Sequence, residues 1–215
     1  MIFANGAKRP KIHSSAYVAP TATISGEVTI GPECAILHGA VIAAEGAPIT
    51  IGTSVVVMEH AVVKSSGGEA TQFPVKIGDA CIIGAHAFVL GATVGNGCFV
   101  AGGARVYNGV TLAHNTRLAP NEVKLPKGEF FEAVFNLETE PNVAAKAAKH
   151  YAAFLRKMHA HDKPIDAHEN VAPGARRREE PDTLSAPVEA DTVVDIMMLE
   201  LQEMELRRAE AKKKK

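Results

Sequence analysis

Residues 77–118 read IGDACIIGAHAFVLGATVGNGCFVAGGARVYNGVTLAHNTRL, and a branched aliphatic returns here at Ile77, Ile83, Val89, Val94, Val100, Val106, Leu112 and Leu118. The step is six residues everywhere except between Val89 and Val94, where it is five. Upstream the same beat runs through Ile12, Val18, Ile24, Ile30, Ile36 and Ile42, then through Ile51, Val57 and Val63. Four places after most of these heads stands a smaller residue, as at Ala22, Cys34, Ala40, Ala61, Cys81, Ala87, Cys98 and Ala104. A helical stripe would repeat every 3.6 residues and an alternating strand every two. One bulky and one small inward residue per hexad is instead the period of a solenoid of parallel β-coils.

Three hexads close one triangular coil, with the bulky residue inside the prism and the small one near a corner. Glycines directly follow the heads at Gly31, Gly52, Gly78 and Gly84, and Pro32, Gly97, Gly102, Gly103 and Asn108 fall at corners, where tight turns are needed. Fifteen heads from Ile24 to Leu118 predict five full coils, with a partial coil before them. The expected fold class is an all-β solenoid, a parallel β-helix over residues 1–135, followed by C-terminal α-helices.

Composition narrows the function classes. With 215 residues and a net charge of −1, the chain has no basic field for nucleic acid, and its lysine run is confined to the last four positions. No apolar run approaches the eighteen or so residues of a membrane span, and Met1 to Lys11 lacks the apolar segment of a secretory signal. Cys34, Cys81 and Cys98 share one small inward column, which reads as packing rather than redox or metal chemistry. An odd cysteine count without such a signal points to the cytoplasm.

Two insertions interrupt the beat. Three extra residues lie between Ile42 and Ile51, in AAEGAPIT, and eight lie between Val63 and Ile77, in KSSGGEATQFPVK, which reads as a small, flexible loop. Together with the short step after Val89, this layout resembles the γ-class carbonic anhydrase-like proteins. ITIGTSVVVMEHAVVK is similar to the segment ending in that family's first zinc histidine, and VKIGDACIIGAHAFVLGATVG to the segment bearing the other two. The resemblance implies a left-handed β-helix and a homotrimer. It also implies zinc sites at subunit boundaries, each held by two histidines of one chain and one of its neighbour.

Transferred onto this chain, the three histidine positions read Lys64, Ala85 and Leu90. The family's arginine position reads Ala43, its glutamine position Met58, and its Asp-Gly corner Glu59-His60. Imidazoles hold zinc as neutral ligands and leave its charge high enough to acidify a bound water, which alanine, leucine and lysine cannot do. The expectation is a solenoid without the zinc triad, acting as a scaffold, assembly partner or small-ligand binder, with catalytic residues unknown. Lys64 is expected to pair with Glu59 or Glu45 of a neighbouring subunit.

Two alternatives stand beside this reading. His60 and His86 each follow a head by three on successive coils, with His38 one coil earlier, so a relocated zinc or other divalent metal site is possible there. That corner is expected to be the one nearest Lys64, Ala85 and Leu90. The commoner role for such a pair is hydrogen bonding at an interface. The second alternative is a hexapeptide-repeat acyltransferase, with His60, His86 or His114 as general base, although no acceptor-binding pattern is evident.

After Leu118 the beat fades, and Phe130, Phe131 and Phe135 are expected to cap the last coil. A packing helix is expected at 142–160, capped by Asn142 and striped by Val143, Ala147, Tyr151, Phe154, Leu155 and Met158. Residues 162–190, broken by Pro164, Pro173, Pro181 and Pro187, read as a flexible linker. Residues 191–215 read as a second amphipathic helix whose methionine-rich face suits its own trimer or a protein partner.

Overall fold

The computed structural model describes residues 1–67 and 71–127, together with 152–153, 156 and 163–165. Within the expected packing helix, Ala152, Ala153 and Arg156 are helical and exposed. The rest of that helix, the aromatic cap and the helix at 191–215 lie outside the described residues.

From Lys11 to Lys124 the chain makes about six turns of a triangular prism, a left-handed parallel β-helix. The first face stacks Ile2–Ala4, Thr23–Ser25, Val41–Ala44, Val62–Gly67, Phe88–Leu90, Arg105–Val106 and Val123–Lys124. The second stacks Lys11–Ile12, Val28–Ile30, Ile49–Ile51, Val75–Ile77, Thr93–Val94 and Thr111–Leu112. The third stacks Tyr17–Val18, Ala35–Ile36, Val56–Val57, Ile82–Ile83, Phe99–Val100 and Arg117–Leu118. The heads from Ile24 to Leu118 are buried in one continuous core. The solenoid exceeds the count of five because Lys11–Ile12 and Tyr17–Val18 already form regular rungs. Its last rung puts Lys124 at the next head position, in register with Val106 and ion-paired to Glu122 at 2.7 Å. A charged head ends the buried column.

The opposite end is covered differently from expectation. Lys163–Ile165, placed by sequence in the linker, pairs antiparallel with Ile2–Ala4, Phe3 opposite Pro164. An outermost strand tolerates proline because one side of its backbone needs no ladder partner. The pairing also covers an edge that would otherwise be open.

Close stacking explains the glycine and cysteine columns. A Cβ on Gly31 would lie 2.4 Å from the Gly52 carbonyl oxygen and 2.8 Å from its carbon, a clash with backbone of the next coil. Beside this column the corner amides are capped from coil to coil. The Thr53 N–H donates to Asp79 Oδ1 at 2.7 Å, Asp79 N–H to Asn96 Oδ1 at 3.0 Å, and Asn96 N–H to His114 Nδ1 at 2.9 Å. The three cysteines are buried free thiols that donate to carbonyls of the following coil: Cys34 to Gly52 and Cys81 to Gly95 at 3.0 Å, Cys98 to Ala113 at 3.1 Å. Burial pushes the Cys34 and Cys81 thiols above their usual range.

All three irregularities of the hexad beat fall on consecutive coils at the corner between the first and second faces. The short insertion is tied down by Ser65, whose buried hydroxyl donates to Ala47 O at 2.5 Å and accepts from Glu45 N–H at 3.0 Å. The long insertion is not simply flexible: Gln72–Phe73 pairs antiparallel with Ser66–Gly67. Phe73 lies over Gly91, where a Cβ would come within 2.5 Å of the phenylalanine Cβ. The missing residue after Val89 leaves that room. Ser66 Oγ reaches across the shortened coil to donate to Asn108 Oδ1 at 3.2 Å.

Gly31→Ala is expected to lower unfolding free energy by about 1–3 kcal/mol, as overpacking against fixed atoms does, read by urea denaturation. The three thiols are expected to resist a disulfide reagent until the chain unfolds. Because the folded state holds the Cys34 and Cys81 protons more tightly than the unfolded state, their contribution to stability is full below the ordinary thiol range. It is lost as pH rises through the raised values, so alkaline titration of the urea midpoint should fall less steeply in Cys34→Ala.

Candidate functional site

His60 and His86 occupy the corner between the third and first faces. Their rings stack with centroids 5.3 Å apart and planes 11° from parallel. Both backbones are left-handed, with φ of 57°, at a column where neighbouring coils carry Gly39, Gly103 and Asn121 with positive φ as well. The hexad geometry imposes this conformation, which costs a non-glycine residue roughly 1–2 kcal/mol. His60 rests on Gly39, where a Cβ would meet its Nδ1 at 2.4 Å. His38 does not join the stack. Its Nδ1 shares a hydrogen bond with Thr21 Oγ1 at 2.8 Å. Among the described residues no group of three or more His, Cys, Asp or Glu side chains is gathered for a metal.

Two of the three positions to which the resemblance assigns zinc donors lie elsewhere. Lys64 and Leu90 are register partners on adjacent rungs of the first face, and Ala43 is the partner of Lys64 on the other side. Ala85 sits at the preceding corner beside His86. The expectation of one shared corner therefore holds for Ala85 alone. Lys64 lies four residues beyond His60, across the width of the face, roughly 13 Å at the rise of a strand.

Lys64 Nζ contacts Glu45 Oε2 at 2.9 Å, with the two side chains 27% and 12% exposed. The pairing with Glu45 arises within one chain, because the short insertion, fixed by Ser65, carries Glu45 onto the same edge. An ammonium already facing a carboxylate, flanked by two hydrocarbon side chains, does not fit a zinc ion. Sequence reasoning missed Ser65 and Phe73, and gave Asn108 a corner position without its hydrogen bond to Ser66. Their signal was countable, since gains of three and eight residues and a loss of one fall on successive coils.

His114 stands at one end of a shallow groove of about 680 Å³ on the second face, beside Thr93, Asn96 and Thr111. The Asn96 amide donates to His114 Nδ1, so that nitrogen carries the lone pair and the neutral ring bears its proton on Nε2. A general base acting through Nε2 needs the other tautomer.

No family model matches the chain. It is 34% identical over 111 residues to an uncharacterized protein of Dictyostelium discoideum, covering 51% of this chain and 45% of that one. It is 27% identical over 129 residues to the mitochondrial gamma carbonic anhydrase 2 of Arabidopsis thaliana, covering 57% and 46%. It is 32% identical over 94 residues to a carbonic anhydrase of Geobacillus kaustophilus, covering 44% and 49%. The chain thus spans about half the length of these relatives. Among solved structures, a hexapeptide transferase family protein from Anaplasma phagocytophilum is 22% identical at a TM-score of 0.41, covering 73% of this chain and 97% of that one. The GDP-perosamine N-acetyltransferase of Caulobacter crescentus is 28% identical at 0.40, covering 55% and 49%. The described solenoid is a hexapeptide-repeat β-helix with γ-class carbonic anhydrases among its homologues.

Proposed function

We propose that this chain is a carbonic anhydrase-like subunit that does not hydrate carbon dioxide and acts as a homotrimeric scaffold or assembly partner. The Lys64–Glu45 ion pair carries this reading. It places a fixed positive charge and its counter-ion where the resemblance puts a cation and its ligands.

The outer surfaces support self-association. The second face shows solvent the column Lys11, Thr29, Thr50, Lys76, Thr93 and Thr111, all exposed. The third face carries Ala35, Val56, Ile82 and Phe99 in register, and the first carries Val41, Val62 and Phe88. These half-buried apolar stretches of two outer faces, bounded by exposed Arg105 and Arg117 and meeting at the His60–His86 corner, favour burial against other copies of the chain. The expected result is a trimer in solution and no carbon dioxide hydration above the uncatalysed rate with added zinc. A monomer, or saturable hydration, contradicts the reading.

A second reading is kept by the imidazole stack: His60 and His86 would hold a divalent metal, with a third donor from a neighbouring subunit. Two donors in parallel planes do not converge on one ion without a ring rotation, so any such site is weak. Calorimetric titration with zinc and nickel decides between the readings. Saturable binding lost in both His60→Ala and His86→Ala supports the metal. If the two histidines only fill left-handed corners, His60→Gly is expected to be neutral or to stabilise by about 1 kcal/mol. Acyl transfer is the remaining alternative, and the His114 tautomer disfavours that residue as its base.

Lys64→Ala is expected to cost about 1–3 kcal/mol, because it removes the ammonium that faces a largely buried Glu45 carboxylate at 2.9 Å. The double variant Lys64→Ala/Glu45→Ala should lose less than the sum of the single losses in a urea-denaturation cycle.

A further inference from the structure

Three Asn-Gly dipeptides occur in the described chain, at Asn5-Gly6, Asn96-Gly97 and Asn108-Gly109. This dipeptide is the one most prone to deamidation, because glycine leaves its own amide nitrogen sterically open. That nitrogen attacks the asparagine Cγ and a C–N bond forms as ammonia leaves. Water then opens the resulting succinimide to aspartate or isoaspartate. The reaction needs a nitrogen not tied up as a donor and a carboxamide free to turn toward it.

Two of the three sites lack both. The Gly97 N–H donates to Asp79 O at 2.8 Å and the Gly109 N–H to Gly91 O at 2.9 Å, each a rung between coils. Their carboxamides are also engaged, since Asn96 Oδ1 accepts from Asp79 N–H and Asn108 Oδ1 from the Ser66 hydroxyl. Asn5-Gly6 is different. It forms the turn after Ile2–Ala4, closed by Asn5 N–H to Lys8 O at 2.9 Å and Lys8 N–H to Asn5 O at 3.0 Å. Among the described residues neither the Gly6 N–H nor the Asn5 side chain has a hydrogen-bond partner. Gly6 is exposed, with open space around its α-carbon and φ of +58°.

We infer that Asn5 is the readily deamidated site among the three Asn-Gly dipeptides, and that Asn96 and Asn108 are protected by the coil stack. Conversion places a carboxylate in a turn that also holds the Lys8–Glu27 ion pair, 3.3 Å long. Isoaspartate further inserts a backbone methylene between the two hydrogen bonds of the turn. Both changes act on the strand Ile2–Ala4, which joins Lys163–Ile165 to the first coil. Deamidation would therefore loosen that docking and leave the remaining coils in place.

The test is to age the full folded chain in mildly alkaline buffer and quantify each site by peptide mass mapping, beside a sample held in urea. In the folded chain Asn96 and Asn108 should react at least about tenfold more slowly than Asn5, since they must open locally first. In urea the three rates should converge. Comparable rates in the folded chain, or no reaction at Asn5, overturn the inference. Hydrogen exchange on the aged protein should show faster exchange at Ile2–Ala4 and unchanged protection at Val89 and Val100. Unchanged exchange at Ile2–Ala4 would refute the loosening.

Discussion

Each coil of this prism hydrogen-bonds to the coils above and below it, and every other feature answers to that stacking. Strands on one face sit at roughly 4.8 Å, so a residue lies directly over its equivalent one coil away. That spacing admits no Cβ at Gly31 and leaves the Cys34, Cys81 and Cys98 thiols against carbonyl oxygens of the next coil. It also forces left-handed backbone at His60 and His86 and thereby brings their rings together. The imidazole stack follows from solenoid geometry, and no ion is needed to explain it.

The same regularity shows where function has room to vary. Strict stacking permits insertions only where a corner opens outward, and the chain concentrates its departures at one corner on three consecutive coils. The short loop, the hairpin and the deleted residue fit one another. Ser65 anchors the first, Phe73 of the second lies over Gly91, and the Ser66–Asn108 hydrogen bond spans the gap left by the third. Glu45 reaches Lys64 only because this corner is built as a unit. The Lys64–Glu45 ion pair is thus a property of the loops as well as of position 64.

Much of this was legible in the sequence because a six-residue period fixes which side chains point inward. The heads, the cysteine column and the approach of His60 to His86 all follow from counting. Counting fails where the chain leaves the prism. Glu45 was expected to meet Lys64 from a neighbouring subunit, since nothing in the period says where a loop folds. The hairpin of the long insertion was hidden because its glycines and serines carry no strand pattern. Lys163–Ile165 was hidden by Pro164, which speaks against a central strand but not against an outermost one. Lys124 shows the reverse case, a head position that the period locates although its residue type does not fit the core.

Lys64, Ala85 and Leu90 are the positions to which the resemblance assigns the three zinc donors. Elemental analysis of untagged protein beside a Lys64→His/Ala85→His/Leu90→His variant tests this directly. The account predicts no bound zinc in the unaltered chain and close to one zinc per chain in the variant. Zinc retained by the unaltered chain, or a folded variant that takes up none, would contradict it.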